Sequence, residues 1–105
     1  MAGEVSEIVY DEAVDSHLAV IERKYHSLIQ QSIEEQLLHE SEVATRNRKP
    51  LRQPAAFGAT WEIRFGPANR FRVFYRVDEQ QRVRILAVGV KEGNRLRVGG
   101  KEIQL

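Results

Sequence analysis

Arginine residues recur at alternating positions in the C-terminal half of the sequence and are its clearest candidates for chemistry. Apolar residues separate them, and this two-residue period is the one with which side chains alternate between the faces of a β-strand. Each guanidinium group carries a fixed positive charge and several hydrogen-bond donors, so a surface with many of them binds phosphates. The set comprises Arg64, Arg70, Arg72, Arg76, Arg82 and Arg84. For any single member the alternative is an ordinary charged side chain on the solvent face of a strand.

Further cations flank this set on both sides in the sequence. They are Arg46, Arg48, Lys49 and Arg52 before it, and Lys91, Arg95, Arg97 and Lys101 after it. The formal net charge of +1 over 105 residues therefore conceals a separation of charge. Residues 1–44 carry ten acidic and two basic side chains, whereas residues 45–105 carry fourteen basic and five acidic ones. This separation indicates that the C-terminal half binds nucleic acid or another anionic partner.

Other classes of chemistry lack the residues that they need. The chain has no cysteine, which excludes disulfides, thiol nucleophiles and cysteine-based zinc sites. His17, His26 and His39 lie in the acidic half without the spacing of a helical metal pair. No Ser/His/Asp signature and no phosphate-binding glycine motif is present. We therefore predict neither a metal site nor a cofactor.

The sequence also lacks the signs of membrane insertion and export. Its longest apolar stretch, Ile85–Val90, is far shorter than the ~20 residues of a membrane-spanning helix. Met1–Ser6 contains neither the basic nor the apolar region of a signal peptide. We expect a cytoplasmic protein that does not enter a membrane, and the length fits a single domain over residues 1–105.

The acidic half is predicted to form one strand and two helices. Residues 4–10 are rich in β-branched and aromatic types, and residues 12–41 carry apolar side chains at helical spacing. One helix of that length would exceed the dimensions of a small domain, so we expect a helical hairpin. We place its break near His26–Ser27, with Ser27 as the N-cap and Gln30 as its partner in a capping box.

The basic half is predicted to form a loop, three strands and a tail. Pro50 and Gly58 mark residues 43–59 as a loop, and residues 93–105 form the tail. The alternating pattern predicts an antiparallel sheet over residues 60–92, with strands at Trp61–Phe65, Phe71–Val77 and Val83–Val90. The resulting order, β-α-α-β-β-β, is an α+β fold with the helical hairpin packed on one face of the sheet.

Apolar residues within these strands carry two further predictions. Residues 85–88 are continuously apolar, which favours a central strand covered on both faces. Trp61 and Phe71 are predicted to be core residues, whereas Phe74 is a candidate exposed aromatic that stacks on bases.

Six short stretches, taken together, resemble the RelE/ParE superfamily of type II toxin–antitoxin toxins. They are Thr45–Leu51, Trp61–Gly66, Phe71–Tyr75, Ile85–Lys91, Asn94–Leu96 and Gly99–Gly100. The resemblance implies the same β-α-α-β-β-β topology and a cognate antitoxin that wraps the toxin. It also implies one of two activities: RelE-type members cleave mRNA in the ribosome without a metal, and ParE-type members poison DNA gyrase.

The resemblance to the nuclease branch also implies roles for individual residues. Arg72 would stabilise the transition-state phosphate, with Arg64 on the preceding strand and Lys91 after the strand-end glycine as further catalytic cations. Contacts to the RNA backbone would come from the basic loop and the tail, through Arg46, Arg48, Lys49, Arg52, Asn94, Arg95 and Arg97.

This sequence departs from the nuclease pattern at three positions, which keeps several functions open. At the first of them, Lys91 stands where an arginine is more usual. Glu62 stands where some nucleases have a second lysine, and Arg97 stands at the position of a C-terminal tyrosine. The general base therefore stays unassigned, although Glu62 is a candidate if it is not paired with Arg64 or Arg72. The leading hypothesis is a ribosome-dependent endoribonuclease. The alternatives are a gyrase inhibitor and a non-toxic module that only binds an antitoxin, in each case as a homodimer or a heterotetramer with that antitoxin.

Overall fold

The alternating residues of the C-terminal half form most of a continuous β-sheet. The computed structural model describes residues 6–53, 55 and 57–104. Within them lie seven strands: β1 Ile8–Tyr10, β2 Arg48–Pro50, β3 Trp61–Phe65, β4 Phe71–Val77, β5 Val83–Glu92, β6 Arg95–Val98 and β7 Lys101–Ile103. Strands β2 to β7 follow one another across the sheet as antiparallel neighbours, and β1 pairs with β5 in parallel. The predicted α+β class and the order of its main elements are confirmed.

Strand β5 is the central strand, as its apolar run predicts. It pairs with β4 along one edge, and along the other edge with β1 through residues 83–85 and with β6 through residues 89–92. The continuous apolar run coincides with an irregularity in the pairing of β4 with β5. Phe74 pairs with Ala87 and the next residue, Tyr75, pairs with Ile85, so that Leu86 has no partner on β4. Leu86 is therefore a β-bulge, which interrupts the alternation of faces. Residues 85 and 88 enter the core beneath the helices, whereas residues 86 and 87 face the opposite side.

Two helices, α1 Ala13–Ala19 and α2 His26–Leu37, cover one face of the sheet. They contribute Val14, Ile29, Ile33 and Leu37 to a core in which each of these side chains is at most 2% exposed. Opposite them lie the apolar residues of the sheet, Ile63, Phe71, Val73, Tyr75, Val83, Ile85 and Val88. Removing this much apolar surface from water is the main force that holds the helical pair on the sheet.

The other face of the sheet has a smaller core of its own. Phe74, Ala59, Ala87 and Val98 are buried there, and the ring of Phe57 lies 5.4 Å from that of Phe74. Phe74 is 0% exposed. The prediction that it is an exposed aromatic available to bases is therefore wrong, because the connection before β3 folds over this part of the sheet.

The break between the helices differs from its predicted position. Helix α1 ends at Ala19, and a 3₁₀ turn at Arg23–Tyr25 leads directly into α2. The N-cap of α2 is Tyr25 without a side-chain cap, so the predicted capping box of Ser27 and Gln30 is wrong. Ile21, buried between the helices, fixes the turn, and its carbonyl oxygen lies 2.9 Å from His26 Nε2.

Three short strands lie where a loop and a tail are predicted. Strand β2 lies within residues 43–59, and β6 and β7 lie within residues 93–105. The N-terminal strand begins at Ile8, and residues 4 and 5 of its predicted range lie outside the described residues. None of the helices among the described residues is long and apolar enough to cross a membrane.

Candidate functional site

The three predicted catalytic cations lie on one face of the sheet. Arg64 on β3 is paired with Arg72 on β4, and Arg72 is paired in turn with Gly89 on β5. Lys91 follows two residues after Gly89, and residues two apart on a strand share a face. The same rule places Lys49 of β2 on this face, since Lys49 is paired with Glu62, two residues before Arg64. We call Lys49, Arg64, Arg72 and Lys91 the basic face, and it lies opposite the helices.

Part of the basic face lines a hollow of about 390 Å³ at the end of the sheet where β4 begins. Its wall is formed by Glu62, Arg72, Lys91, Asn94, Arg95, Leu96, Glu102, Ile103 and Gln104. We call this cavity the basic hollow. Three cations and two carboxylates line it, which gives its wall a small excess of positive charge. Its volume is within the range of sites for small ligands, so an anion of nucleotide size fits it.

Arg72 is held in the basic hollow by two contacts. Its Nε donates a hydrogen bond of 3.0 Å to the carbonyl oxygen of Asn69, and its Nη1 lies 3.4 Å from Glu62 Oε1. The side chains of Arg72 and Glu62 are only 12% and 13% exposed. The expected alternative for Glu62, an ion pair with a strand arginine, is confirmed with Arg72 as its partner.

The turn that supplies the Asn69 carbonyl depends on a glycine. Gly66 has a φ of 81°, and a Cβ atom at this position would lie 2.5 Å from the ring of Phe71. Only glycine avoids both the strained backbone and this clash. The turn after β3 is thus fixed by sequence, and with it the orientation of Arg72.

The predicted RNA-contacting residues do not form a single group. Asn94 and Arg95 line the basic hollow, and Lys49 lies on the basic face. Arg46 and Arg52 are exposed in the connection between α2 and β3. Arg97 faces the helix side of the sheet.

Arg48 contradicts its predicted contact with RNA, because it is only 8% exposed. Its Nη1 donates to the carbonyl oxygens of Glu40 and Val43, and its Nη2 lies 3.4 Å from Gln36 Oε1. These acceptors belong to the end of α2 and the chain that follows it. Arg48 therefore fastens the helix to the sheet, and its guanidinium is not available to a phosphate.

Two further arginines are also engaged within the protein, at the opposite end of β4. Arg82 Nε and Arg84 Nε each lie 2.9 Å from Oδ2 of Asp78, whose Oδ1 accepts hydrogen bonds from the backbone of Gln80 and Arg82. The backbone hydrogen bond from Arg82 is the main cause that holds the pKa of Asp78 far below its usual value. Asp78 and its arginines therefore close the β4–β5 hairpin and lie outside the basic hollow.

A second cavity of about 770 Å³ lies at the same end of the sheet, reaches to the helix side, and shares Arg72 and Lys91 with the basic hollow. Phe71, Val88 and Val90 are among the apolar residues of its wall, and Arg70 and Arg97 are among its cations. We call it the helix-side groove. Val20, which is 59% exposed, also lines it. The groove therefore combines apolar and basic surface.

The described wall of the basic hollow includes no histidine or tyrosine, and its two carboxylates, Glu62 and Glu102, are both paired with arginines, so the general base stays unassigned. His17 lies on the other side, where its Nδ1 accepts a hydrogen bond of 3.3 Å from the Val88 amide and burial lowers its pKa. Across the part of the chain that the structure describes, no cluster of three or more acidic or histidine side chains could hold a metal ion.

Sequence reasoning missed the part of the basic hollow that β7 contributes. Glu102, Ile103 and Gln104 belong to the segment predicted as a tail. The available signal is the pair Gly99-Gly100, whose φ values of 61° and 81° form the two-residue turn of a β-hairpin.

A helical pair on one face of an antiparallel sheet and a cationic hollow on the other are the features of a toxin domain of the RelE/ParE class. Comparison with protein families agrees with this class. The model described as the ParE toxin of the type II toxin–antitoxin system, parDE, matches residues 8–94. The chain belongs to this family, and the resemblance noted in the sequence is confirmed. A search of curated proteins finds no match to the chain.

Proposed function

We propose that this toxin is a ribosome-dependent endoribonuclease that cleaves mRNA without a metal. The observation that supports it best is the position of Arg64, Arg72 and Lys91 on one face of three neighbouring strands. Attack of a ribose 2′-hydroxyl on the adjacent phosphate builds up negative charge, and fixed cations lower the energy of that transition state. Arg72 is the central group, since the Asn69 carbonyl orients its guanidinium before substrate arrives.

Residues around the basic hollow would hold the RNA on either side of the reacting phosphate. Asn94 and Arg95 line the hollow itself, and Lys49 extends the basic face towards the sheet edge at β2. Arg46 and Arg52 are exposed in the adjoining connection and would contact the backbone of mRNA or ribosomal RNA.

The test is to express the chain alone in bacteria and compare it with an Arg72→Ala variant. The wild-type chain should arrest translation early and produce new mRNA ends at ribosomal A sites. Arg72→Ala should lose the arrest, because removing one such cation lowers a rate by roughly 10²–10³-fold. Arg76→Ala, which truncates an exposed arginine of the same strand, should remain toxic. A folded Arg72→Ala protein that still arrests growth contradicts the proposal.

Inhibition of DNA gyrase is the second candidate function. It is favoured by the contact of Arg72 with Glu62, which neutralises the main catalytic cation, and by the lack of histidine and tyrosine among the described residues of the hollow. The matched family is also named for ParE. In the same culture this function predicts DNA damage and filamentation while translation continues. Harmless expression of the chain without an antitoxin would instead favour the non-toxic binding module.

Membership of a type II toxin family implies an antitoxin partner, and the helix-side groove is the surface that we assign to it. A disordered segment with apolar and acidic residues complements the apolar wall and the cations of this groove. We place the complex in the cytoplasm, where mRNA and gyrase are both found. Whether the toxin is a homodimer or part of a heterotetramer is measured by the mass of the complex in solution.

A further inference from the structure

Glu62 is an acidic residue in the middle of the basic face. It lies two residues before Arg64 on β3, and it is paired across the sheet with Lys49 on β2. Its Oε1 lies 3.4 Å from Arg72 Nη1. A carboxylate in this position lowers the positive potential of the site that the proposed function assigns to a phosphate.

The contact of Glu62 with Arg72 is shielded from solvent, unlike other ion pairs nearby. Its two side chains are 13% and 12% exposed. The pair of Arg95 and Glu102, on the wall of the same hollow, has side chains that are 69% and 44% exposed. Solvent and salt screen exposed charges strongly and buried ones weakly. The charge of Glu62 is therefore screened less at Arg72 than the charge of Glu102 is at Arg95.

The acceptor that Glu62 offers resembles the one that a phosphate would offer. Carboxylate and phosphate oxygens bind a guanidinium through the same charge-assisted hydrogen bonds. Because Arg72 Nε donates to the Asn69 carbonyl and Nη1 contacts Glu62, an incoming phosphate competes with the carboxylate for Nη1 and can otherwise use the remaining donors of the guanidinium. A phosphate must displace the carboxylate or bind beside a charge of its own sign.

We propose that Glu62 is an autoinhibitory group, an internal carboxylate that occupies Arg72 and weakens the binding of phosphate-containing ligands to the basic hollow. This inference rests on the proposed function, because it takes Arg72 as the phosphate-binding residue. It assigns Glu62 to the control of affinity, whereas a general base is needed for the cleavage step, so that its loss would lower the rate of cleavage.

The experiment measures the binding of a short fluorescent single-stranded RNA to the purified chain. Glu62→Gln keeps the shape of the side chain and removes its charge, and it should tighten binding roughly tenfold, a change of about 1.4 kcal/mol. Glu79→Gln is the matched control, because it makes the same change of charge in the exposed turn at the far end of β4. It should leave binding nearly unchanged.

A second pair of variants tests whether Glu62 acts through Arg72. Arg72→Ala should weaken binding, and adding Glu62→Gln to it should then give little further change, because the competing contact no longer exists. Circular dichroism confirms that each variant is folded.

The outcomes separate this inference from the proposed function. If Glu62→Gln binds no more tightly than wild type while Arg72→Ala binds more weakly, the autoinhibitory role is wrong and the RNA site stands. If the gain persists at full size in the Arg72→Ala background, or Glu79→Gln gives the same gain, Glu62 acts only through net charge and the inference is overturned. If Arg72→Ala binds RNA as wild type does, the proposed site itself fails.

Discussion

The two ends of β4 both bring arginines to a carboxylate, yet the two arrangements differ in strength. At the far end, both oxygens of Asp78 are occupied by four hydrogen bonds, two from the backbone and two from Arg82 and Arg84. At the near end, Glu62 meets Arg72 through one contact of 3.4 Å beside the basic hollow. The first arrangement is a closed structural clamp, whereas the second leaves a cation that a ligand can reach.

The contrast indicates how the arginines of this sheet divide into binding residues and structural ones. Positive charge alone does not separate a binding residue from a structural one. The number of internal acceptors does, because a guanidinium whose donors are already satisfied gains little from a phosphate. Arg48 is the extreme case, since its Nη1 and Nη2 have three acceptors within the chain, and its Nε, which has no partner among the described residues, is buried away from any ligand.

The largest expected effect on RNA binding separates two double variants, each of which removes two cations near one end of β4. The double variant Arg64→Ala/Lys91→Ala should lower RNA binding and growth arrest by roughly 100-fold or more, because both side chains lie on the basic face. Arg82→Ala/Arg84→Ala makes the same change in net charge outside the hollow and should keep activity at a temperature where it is folded. Equal losses in the two variants would mean that overall charge, and not the site, determines activity.

A smaller effect, on stability, is expected at Arg48. Arg48→Met removes the charge-assisted hydrogen bonds to the carbonyl oxygens of Glu40 and Val43 and should lower the free energy of unfolding by about 1.5 to 3 kcal/mol. Arg46→Met, at an exposed position two residues earlier, should change it by less than about 0.5 kcal/mol. Urea denaturation measures both. An Arg48→Met protein as stable as wild type would show that the arginine does not fasten α2 to the sheet.

The smallest expected effect is the pH dependence of the Asp78 clamp. Its folded-state pKa lies below the unfolded value of 3.8, so the charged carboxylate stabilises the fold above that pH. The contribution is lost as the pH falls below this value. Asp78→Asn should therefore be less stable than wild type at neutral pH, and the difference should narrow as the pH falls from about 4 to about 2. A difference that stays constant over this range would contradict the clamp.

The long strands were predictable from sequence because their side chains follow a strict two-residue period. The strands β2, β6 and β7 were not, since each has only three or four residues, of which at least half are charged, and lies at or near a sheet edge. The position of the helix break was missed for a related reason. Ser27 looks like a helix cap, but the burial of Ile21 places the turn at Arg23–Tyr25, two to four residues earlier, so tertiary packing overrides a local signal.

The candidate site was predictable as a set of residues but not as a set of contacts. The two-residue period of the strands is enough to place Arg64 and Arg72 on the face opposite the apolar core. The pairing of Arg72 with Glu62 depends on the register between β3 and β4, which the sequence leaves open to either neighbouring arginine. The sequence does not distinguish Arg48 from the other cations of residues 46–52. Its structural role depends on the path of the chain after α2, which brings two carbonyl oxygens to its guanidinium.

The parallel pair of β1 and β5 has a consequence for the time at which the sheet is completed. Ile8 is paired with Val83, so β1, which is synthesised first, cannot pair until β5 has been synthesised. Pairs so distant in sequence form late, because the entropy of closing the intervening loop is lost before any contact is gained. We therefore expect the helices and the β3–β4 hairpin to form first. A growing chain would carry an unfinished sheet until β5 is available to pair with β1.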